Sequence, residues 1–541
     1  MKKAKHHLIP IILLILFGIV NLLTLTKFPL MHSDEAWIGG LTRHMMQEGS
    51  LLVTEPFFDV FPRSLHLIKI GFHLLQMPFI FLGDFSLFAL RFLSLAFSLL
   101  CLFLILAIYK TWQEPTKKTT SLQEAMIMLA FMSHTIFFLA ARFARQEMVL
   151  LTLFLLVFLT LLRLANQNNP TTNNQTRYTL IITLWIGLAM TIHPNSLLLA
   201  ISAGLGYLYL IWIKKINWRQ ICLLISLVAI YATILLLGSL YINPDFLNGY
   251  LSYGQTLGVQ NSLIDKILQF PLYYQKIFQQ IGATYYLPNI KILLTLLFMS
   301  TTVGLIISIY SLTKNSHWHS LPKEMANIML TIFILGIHAG LILIGRYNTQ
   351  YILFPMVFSL MQTLLIVDMI IEKINIHYQK WMFTGFMSLL IFLQFFNLFN
   401  NIKEHPQHDY PSYLNELASV LNPHTKTLGN LNAGFFFDDE ALMDIRNLAF
   451  LPENMTVAQY LEKNDIQAIV WLEEMDYIYR NPDPWTILYG PMDYIPPLRT
   501  IIEKDYELTH QFESPGYGMR IIRYLDGYPW QVKVYLKRDS Y

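Results

Sequence analysis

The sequence predicts a polytopic α-helical membrane protein with a small soluble α/β domain at its C-terminal end. Three observations predict it. Of 541 residues, 54% are hydrophobic and only 13% are charged, where soluble domains carry roughly a quarter charged residues. Apolar runs near the ~20 residues needed to cross a ~30 Å hydrocarbon layer recur through the first 400 positions. Beyond about residue 401 the composition turns to Pro, Asp, Glu and Tyr, so domains are expected at 1–400 and 401–541. Charge excludes another class: 38 Lys and Arg against 35 Asp and Glu leave only +3, not the concentrated cationic surface of a nucleic-acid binder. Cys101 and Cys222 both fall inside apolar runs and read as small buried hydrophobes rather than a disulfide.

The first run, LIPIILLILFGIV, follows a basic start and has no small-residue cleavage site after it. It reads as an uncleaved span with its basic end in the cytoplasm. Further spans fit at about 84–109, 124–141, 147–164, 178–192, 195–213, 219–240, 290–312, 325–345, 350–371 and 381–400, eleven in all. Positive loops tend to stay cytoplasmic, and from a cytoplasmic start the inner side receives Lys2, Lys3, Lys5, Lys110, Lys117, Lys118, Arg163, Arg177, Lys214, Lys215, Arg219, Lys314, Lys323, Lys373 and Lys380. Arg43, Arg63, Lys69, Arg142, Arg145 and Arg346 fall outside against this trend, which demands a reason.

Two outer loops are long. Residues 27–83 carry amphipathic stretches around His32 to Glu48 and Leu65 to Leu82, expected to lie along the membrane surface. Residues 241–289 contain YINPDFLNGYLSYG and then an aromatic-rich helical pattern, LIDKILQFPLYYQKIFQQI. Both loops are placed to roof a site. The inner tract NQNNPTTNNQT at 166–176 reads as a flexible loop. In the tail, a helix is expected in TVAQYLEKN, a strand in IQAIVWL, and β-rich segments at GMRIIRYL and WQVKVYLK, separated by turns at NPDPW and GPMDYIPP. Trp485, Tyr489 and Tyr494 are expected in the core of that domain.

Chemistry is expected from the polar residues at the outer ends of spans. HSDEAW puts Asp34 and Glu35 directly after a transmembrane run, where an ionised carboxylate is unfavourable unless it faces water, a partner or a function. The alternative is that Ser33 or Asp34 caps the helix that follows. In LAARFARQEMVLL the connection is so short that Arg142, Arg145 and Glu147 must sit at the membrane surface. His193 lies in a tight outer turn, Arg346 and Tyr351 in another, and Arg63 between the two surface helices. Acids and cations then converge where an anionic lipid headgroup would sit. Moving a sugar from a lipid phosphate needs a carboxylate to take the proton of the attacking hydroxyl and cations to stabilise the departing phosphate. An inverting displacement needs one such carboxylate, since phosphate leaves without a general acid.

The order of HSDEAW, LGDFSLFALRFLSLAF, ARFARQEM, GLAMTIHPN and RYNTQYILFP resembles the GT-C fold lipid-phosphate-sugar glycosyltransferases, among them bacterial relatives of protein O-mannosyltransferases and of the aminoarabinose transferase that modifies lipid A. The resemblance spans about 400 residues. It implies a membrane glycosyltransferase with a polyprenyl-phosphate-linked sugar as donor and a lipid, glycan or protein as acceptor, working among membrane lipids. Asp34 matches the family's catalytic base, Glu35 its neighbouring acid, and Glu147 a second acid that is usually Asp. Arg346 and Tyr351 match a late Arg and Tyr, and His193 a turn where relatives often have Lys. Arg346, His193, Tyr351 and Arg63 are thereby implied at the donor phosphate, with Arg142 and Arg145 supporting. One departure stands out: where many relatives have Lys-Pro-Pro or His-Pro-Pro, this chain has Phe61-Pro62-Arg63, so the cation is displaced by two positions.

This branch implies no cofactor, the alternative being Mg or Mn on the oxygens of Asp34 and Glu147. An odd number of spans from a cytoplasmic start puts everything after about residue 401 outside, and the resemblance implies a bacterial host, so the tail is expected on the periplasmic side of the cytoplasmic membrane. Two other classes share the composition: a secondary transporter or lipid flippase, expected to show midplane charges in broken helices and repeated halves, and a non-catalytic envelope assembly protein anchored by its spans.

Overall fold

A computed structural model describes residues 8–113, 119–256, 259–280, 288–314, 322–373, 376–403, 410–482, 485–514 and 531–538. The first 403 residues are helical: α1 (Leu8–Thr24), α2 (Ser33–Gln47), α3 (Ile70–Gly83), α4 (Leu87–Trp112), α5 (Ser121–Met132), α6 (Thr135–Ala140), α7 (Glu147–Ala165), α8 (Thr172–Ile192), α9 (Ser196–Trp212), α10 (Trp218–Ile242), α11 (Phe246–Thr256), α12 (Leu263–Phe278), α13 (Lys291–Lys314), α14 (Pro322–Ile344), α15 (Leu353–Ile371) and α16 (Ile376–Lys403). Helix overlaps every one of the eleven expected spans, but only seven of them coincide, among the described residues, with a segment long and apolar enough to cross a membrane. Among the described residues, α4, α7, α10, α13, α14, the segment Thr349–Ile371 and α16 are long and apolar enough to cross a membrane, while α1, α3, α5 and α9 are shorter apolar helices. The protein is a multi-pass membrane protein.

Three local expectations are corrected. The span at 124–141 is two helices: α5 stops at Ser133, and the His134 ring accepts from the Phe137 amide to start α6 afresh. The tract 166–176 is partly helix, because Thr171 caps α8, whose first turns are polar. The cap of α2 is His32 rather than Ser33 or Asp34, with the Glu35 carboxylate accepting from the His32 amide to complete a capping box.

Close packing and buried polar bonds hold the bundle together, as expected where lipid removes most hydrophobic drive between helices. On α14, Gly336 and Gly340 let α9 approach until an added Cβ would stand 2.7 Å from Ser202 and 2.6 Å from Leu198. Asn327 of α14 donates to the Gly304 carbonyl of α13, and Gln362 of α15 to the Thr331 hydroxyl of α14. At the periphery, Ile225, Ile230, Ile234 and Leu237 of α10 are exposed, as a lipid-facing helix requires. Cys101 is buried, whereas Cys222 is exposed on α10 instead of buried.

The tail contains α17 (Tyr410–Ala418), β1 (Thr427–Gly429), β2 (Leu442–Asp444), α18 (Val457–Lys463), β3 (Ala468–Leu472), α19 (Glu474–Arg480), α20 (Thr486–Tyr489), α21 (Ile495–Asp505), β4 (Tyr506–Glu513) and β5 (Gln531–Lys537). Its sheet runs β2-β1-β3-β5-β4. β1 is parallel to β2 and β3, and β5 is antiparallel to β3 and β4. β3 is buried along its whole length, matching its unbroken apolar run. Trp485, Tyr489 and Tyr494 lie in this core. The helix at 457–463 and the strands at 468–472 and 531–537 are where the sequence expects them. GPMDYIPP is not only a turn, because its prolines open α21, and β4 was not anticipated. GMRIIRYL lies outside the described residues.

Candidate active site

The site is assembled at helix ends and loops. The start of α2 presents two acids with opposite fates. Glu35 turns inward: Arg91 of α4 grips both its oxygens at 2.8 and 2.9 Å, the Ala144 amide adds a bond at 2.8 Å, and both side chains have no exposure. Arg91 also donates to the Leu25 and Pro29 carbonyls, tying the chain before α2 to α4. Where the sequence expects Glu35 beside the base, the structure gives it neither an open oxygen nor a face on the cavity. Arg142 likewise points away: it donates to Asn21, Thr24 and Phe28 and fastens the end of α1.

Asp34, the neighbour of Glu35, turns the other way and remains partly exposed. Arg145, in the turn before α7, reaches it at 2.7 Å and reaches Glu147, the first residue of α7, at 3.0 Å. The two acids, far apart in the chain, thus meet on either side of one guanidinium. Burial opposes the charge on Arg145, but the Glu147 and Asp34 carboxylates outweigh it and hold the group firmly protonated. Glu147 is buried behind Arg145.

Asp34 and Arg145 line one wall of a cavity of about 210 Å³. Arg63, Lys69, His193, Arg346 and Tyr351 are among the other residues that line it. The turn between α14 and α15 carries Arg346 just after Gly345, whose φ of +75° needs glycine. Tyr351 is buried, with its ring 6.4 Å from that of His193. His193 accepts at Nδ1 from the Asn195 amide. Burial, then the nearby charges of Lys69, Arg346 and Arg145, push its pKa well below 6.5, so it is a neutral imidazole with its proton on Nε2.

Lys69, one of the cations that break the positive-inside trend, also belongs to this set. It precedes α3 in left-handed backbone, φ 76°, a conformation that non-glycine residues rarely hold outside constrained sites. Burial and the charges of Arg346 and Arg63 lower its pKa to about 8. Neither Lys69 nor Arg346 has a side-chain hydrogen bond or ion pair with a described residue. Arg63 differs: it is bidentate to the buried Glu55, with Nε at 2.7 Å and a second nitrogen on the other oxygen. Burial alone would raise the Glu55 carboxyl, and Arg63 with the Trp37 N–H reverses that and holds it below the usual carboxylate range. Sequence signals for these groups existed: a lone Lys in the apolar stretch HLIKIGF, and an acid eight residues before Arg63.

This wall can accept an anion at Lys69 and Arg346 and deprotonate a group near Asp34. A divalent cation shared by Asp34 and Glu147 would have to displace Arg145, which already takes one oxygen from each. A separate set, His44 and Glu48 near the end of α2 with Glu440 of the tail, places three ligand atoms within 4.8 Å of one another. It lies outside the cavity lining.

No protein-family model and no curated protein sequence matches the chain. Solved structures do. The apo oligosaccharyltransferase of Archaeoglobus fulgidus is 12% identical, covers 93% of this chain and 73% of its own, and superposes with a TM-score of 0.52. The same enzyme in complex with Zn and sulfate gives 0.51 at 13% identity, covering 93% of this chain and 72% of its own. ArnT from Cupriavidus metallidurans bound to undecaprenyl phosphate is 13% identical with 98% of both chains covered, at a TM-score of 0.49. The likeness to the oligosaccharyltransferase establishes the fold, the GT-C architecture.

Proposed function

We propose that this chain is an integral membrane glycosyltransferase that takes a sugar from a polyprenyl-phosphate donor at the outer face of a cytoplasmic membrane, with the tail on the same side. One observation carries the reading: Asp34, held by Arg145, shares a cavity with two cations, Lys69 and Arg346, that have no side-chain hydrogen bond or ion pair with a described residue. A carboxylate and cations that line one small chamber are what proton abstraction and phosphate departure need.

In this reading the donor phosphate binds Lys69 and Arg346, with the remaining terminal nitrogen of Arg63 and the His193 Nε2–H as further donors. The acceptor hydroxyl approaches Asp34, which removes its proton as the oxygen attacks the anomeric carbon. The bond from that carbon to the phosphate oxygen breaks with inversion, and the cations stabilise the charge left on the polyprenyl phosphate. Arg145 keeps Asp34 ionised and oriented, and Glu147 holds Arg145. The chamber is below the ~300 Å³ of a typical small-molecule pocket, so it suits a headgroup while the polyprenyl tail lies along the spans. The polar residues gather at helix ends, unlike the midplane sites of transporters.

Comparing lipid-linked sugars and envelope glycans from cells with and without the gene, by mass spectrometry, tests this reading and identifies the sugar. Its loss is expected to accumulate one polyprenyl-phosphate sugar and to remove that sugar from one envelope component. Unchanged donor and glycan pools would reject it.

A further inference from the structure

We infer that Arg446, in the C-terminal domain, is a positioning residue for Arg63, acting through Trp37 and Glu55, so that the tail shapes the donor end of the cavity. The inference deepens the proposed function and rests on its reading of Arg63 as a ligand of a lipid phosphate.

Asp444, the last residue of β2, is fully buried and bidentate to Arg446, at 2.7 and 3.0 Å. The pair fixes the Arg446 guanidinium 4.8 Å from the Trp37 ring centre and 4.9 Å from that of Phe58. The Arg63 guanidinium lies 5.0 Å from the same Trp37 ring. Trp37 thus contacts one cation from each domain, both within cation–π range. Its Nε1 donates to Glu55 at 2.6 Å, and Glu55 receives Arg63. With Nε and one terminal nitrogen of Arg63 spent on Glu55, the other terminal nitrogen has no bond to a described residue, and the side chain lines the cavity.

The backbone that carries Arg63 is held from the same side. The Asp444 amide and the Asn447 side chain both donate to the Phe57 carbonyl, at 3.1 and 2.9 Å, and the Phe61 amide donates to Asn447 at 3.1 Å. Tyr460 donates to Asp59 at 2.7 Å. Residues 48–69 contain no helix or strand, so this clamp gives the segment a geometry that its own backbone does not. A buried, paired guanidinium is a costly way to fill space, whereas it is a rigid way to orient an indole.

A double-mutant cycle in affinity for undecaprenyl phosphate, measured by isothermal titration on the detergent-purified full chain, tests the inference. Arg63→Met is expected to weaken binding about tenfold and Arg446→Met several-fold, with the double variant no weaker than Arg63→Met alone. Trp37→Phe keeps the ring for both cations but removes the bond to Glu55; it should show the same non-additivity and decides the matter if Arg446→Met does not fold. Equal losses from Arg446→Met, or Trp37→Phe, in the presence and absence of Arg63 would overturn the inference and leave the phosphate role of Arg63 standing. Unchanged affinity in Arg63→Met would instead overturn that role, and the inference with it.

Discussion

Arg145 stands 2.7 Å from Asp34 and 3.0 Å from Glu147, so one guanidinium joins the two acids that the sequence separates by more than a hundred residues. The planar guanidinium reaches each acid with a separate nitrogen in a fixed geometry, which the single nitrogen of a lysine ammonium at this position does not reproduce. Arg145→Lys is expected to lower kcat/KM for transfer from a labelled polyprenyl-phosphate sugar by about 10²-fold. Glu147→Gln, which leaves Arg145 in contact with Asp34, should cost less. Equal rates for Arg145→Lys and wild type would show that the guanidinium fork is not needed.

The same geometry bears on metal dependence. Because Arg145 already lies between Asp34 and Glu147, prolonged EDTA treatment of the purified protein is expected to leave the transfer rate within about twofold of the untreated value. A loss that Mg²⁺ or Mn²⁺ restores would show that an ion competes successfully with the guanidinium.

Glu35 should separate from Asp34 by phenotype. Removing one partner of the fully buried Glu35–Arg91 pair strands the other, at a cost of about 3–5 kcal/mol. Glu35→Gln and Arg91→Met are therefore expected to lower the thermal unfolding temperature or the yield, with specific activity per folded molecule kept within a few-fold. A Glu35→Gln protein with wild-type stability and no activity would contradict this assignment.

Lys69 provides a pH signature. With its pKa lowered to about 8, the free protein loses this charge as pH rises through that value, whereas a bound phosphate favours the protonated form. Affinity for undecaprenyl phosphate should thus be full below pH 8 and fall above it, by up to about tenfold per pH unit for one linked proton. The phosphate itself is already a dianion there, its second ionisation lying near pH ~6. Lys69→Arg should abolish the fall. A flat wild-type profile from pH 7 to 9 would show that Lys69 does not bind the phosphate.

Much of this was legible in the sequence. The apolar runs locate the helices, the two amphipathic stretches become α2 and α3, and the cations that break the positive-inside pattern include Arg63, Arg145, Arg346 and Lys69, which line one cavity. Which of two adjacent acids faces it was not legible. Neighbours on a helix point about 100° apart, and the choice is made by Arg91, which sits 56 residues from Glu35 inside an apolar run. Lys69 gave only a weak signal, since nothing in its neighbours reveals the left-handed backbone that aims it. The clamp on residues 57–61 was invisible for a simpler reason: Phe61 and Asn447 are 386 residues apart, and no local pattern encodes their contact.

The central claim, that Asp34 is the base in a lipid-phosphate sugar transfer, is tested most directly by Asp34→Asn. Purified wild type and variant, reconstituted in liposomes with the donor identified from the gene-deletion comparison, would be assayed for transfer and titrated with undecaprenyl phosphate. The expected result is transfer reduced at least about 10³-fold with undecaprenyl phosphate affinity within a few-fold of wild type. Undiminished turnover by a folded Asp34→Asn protein would contradict the account.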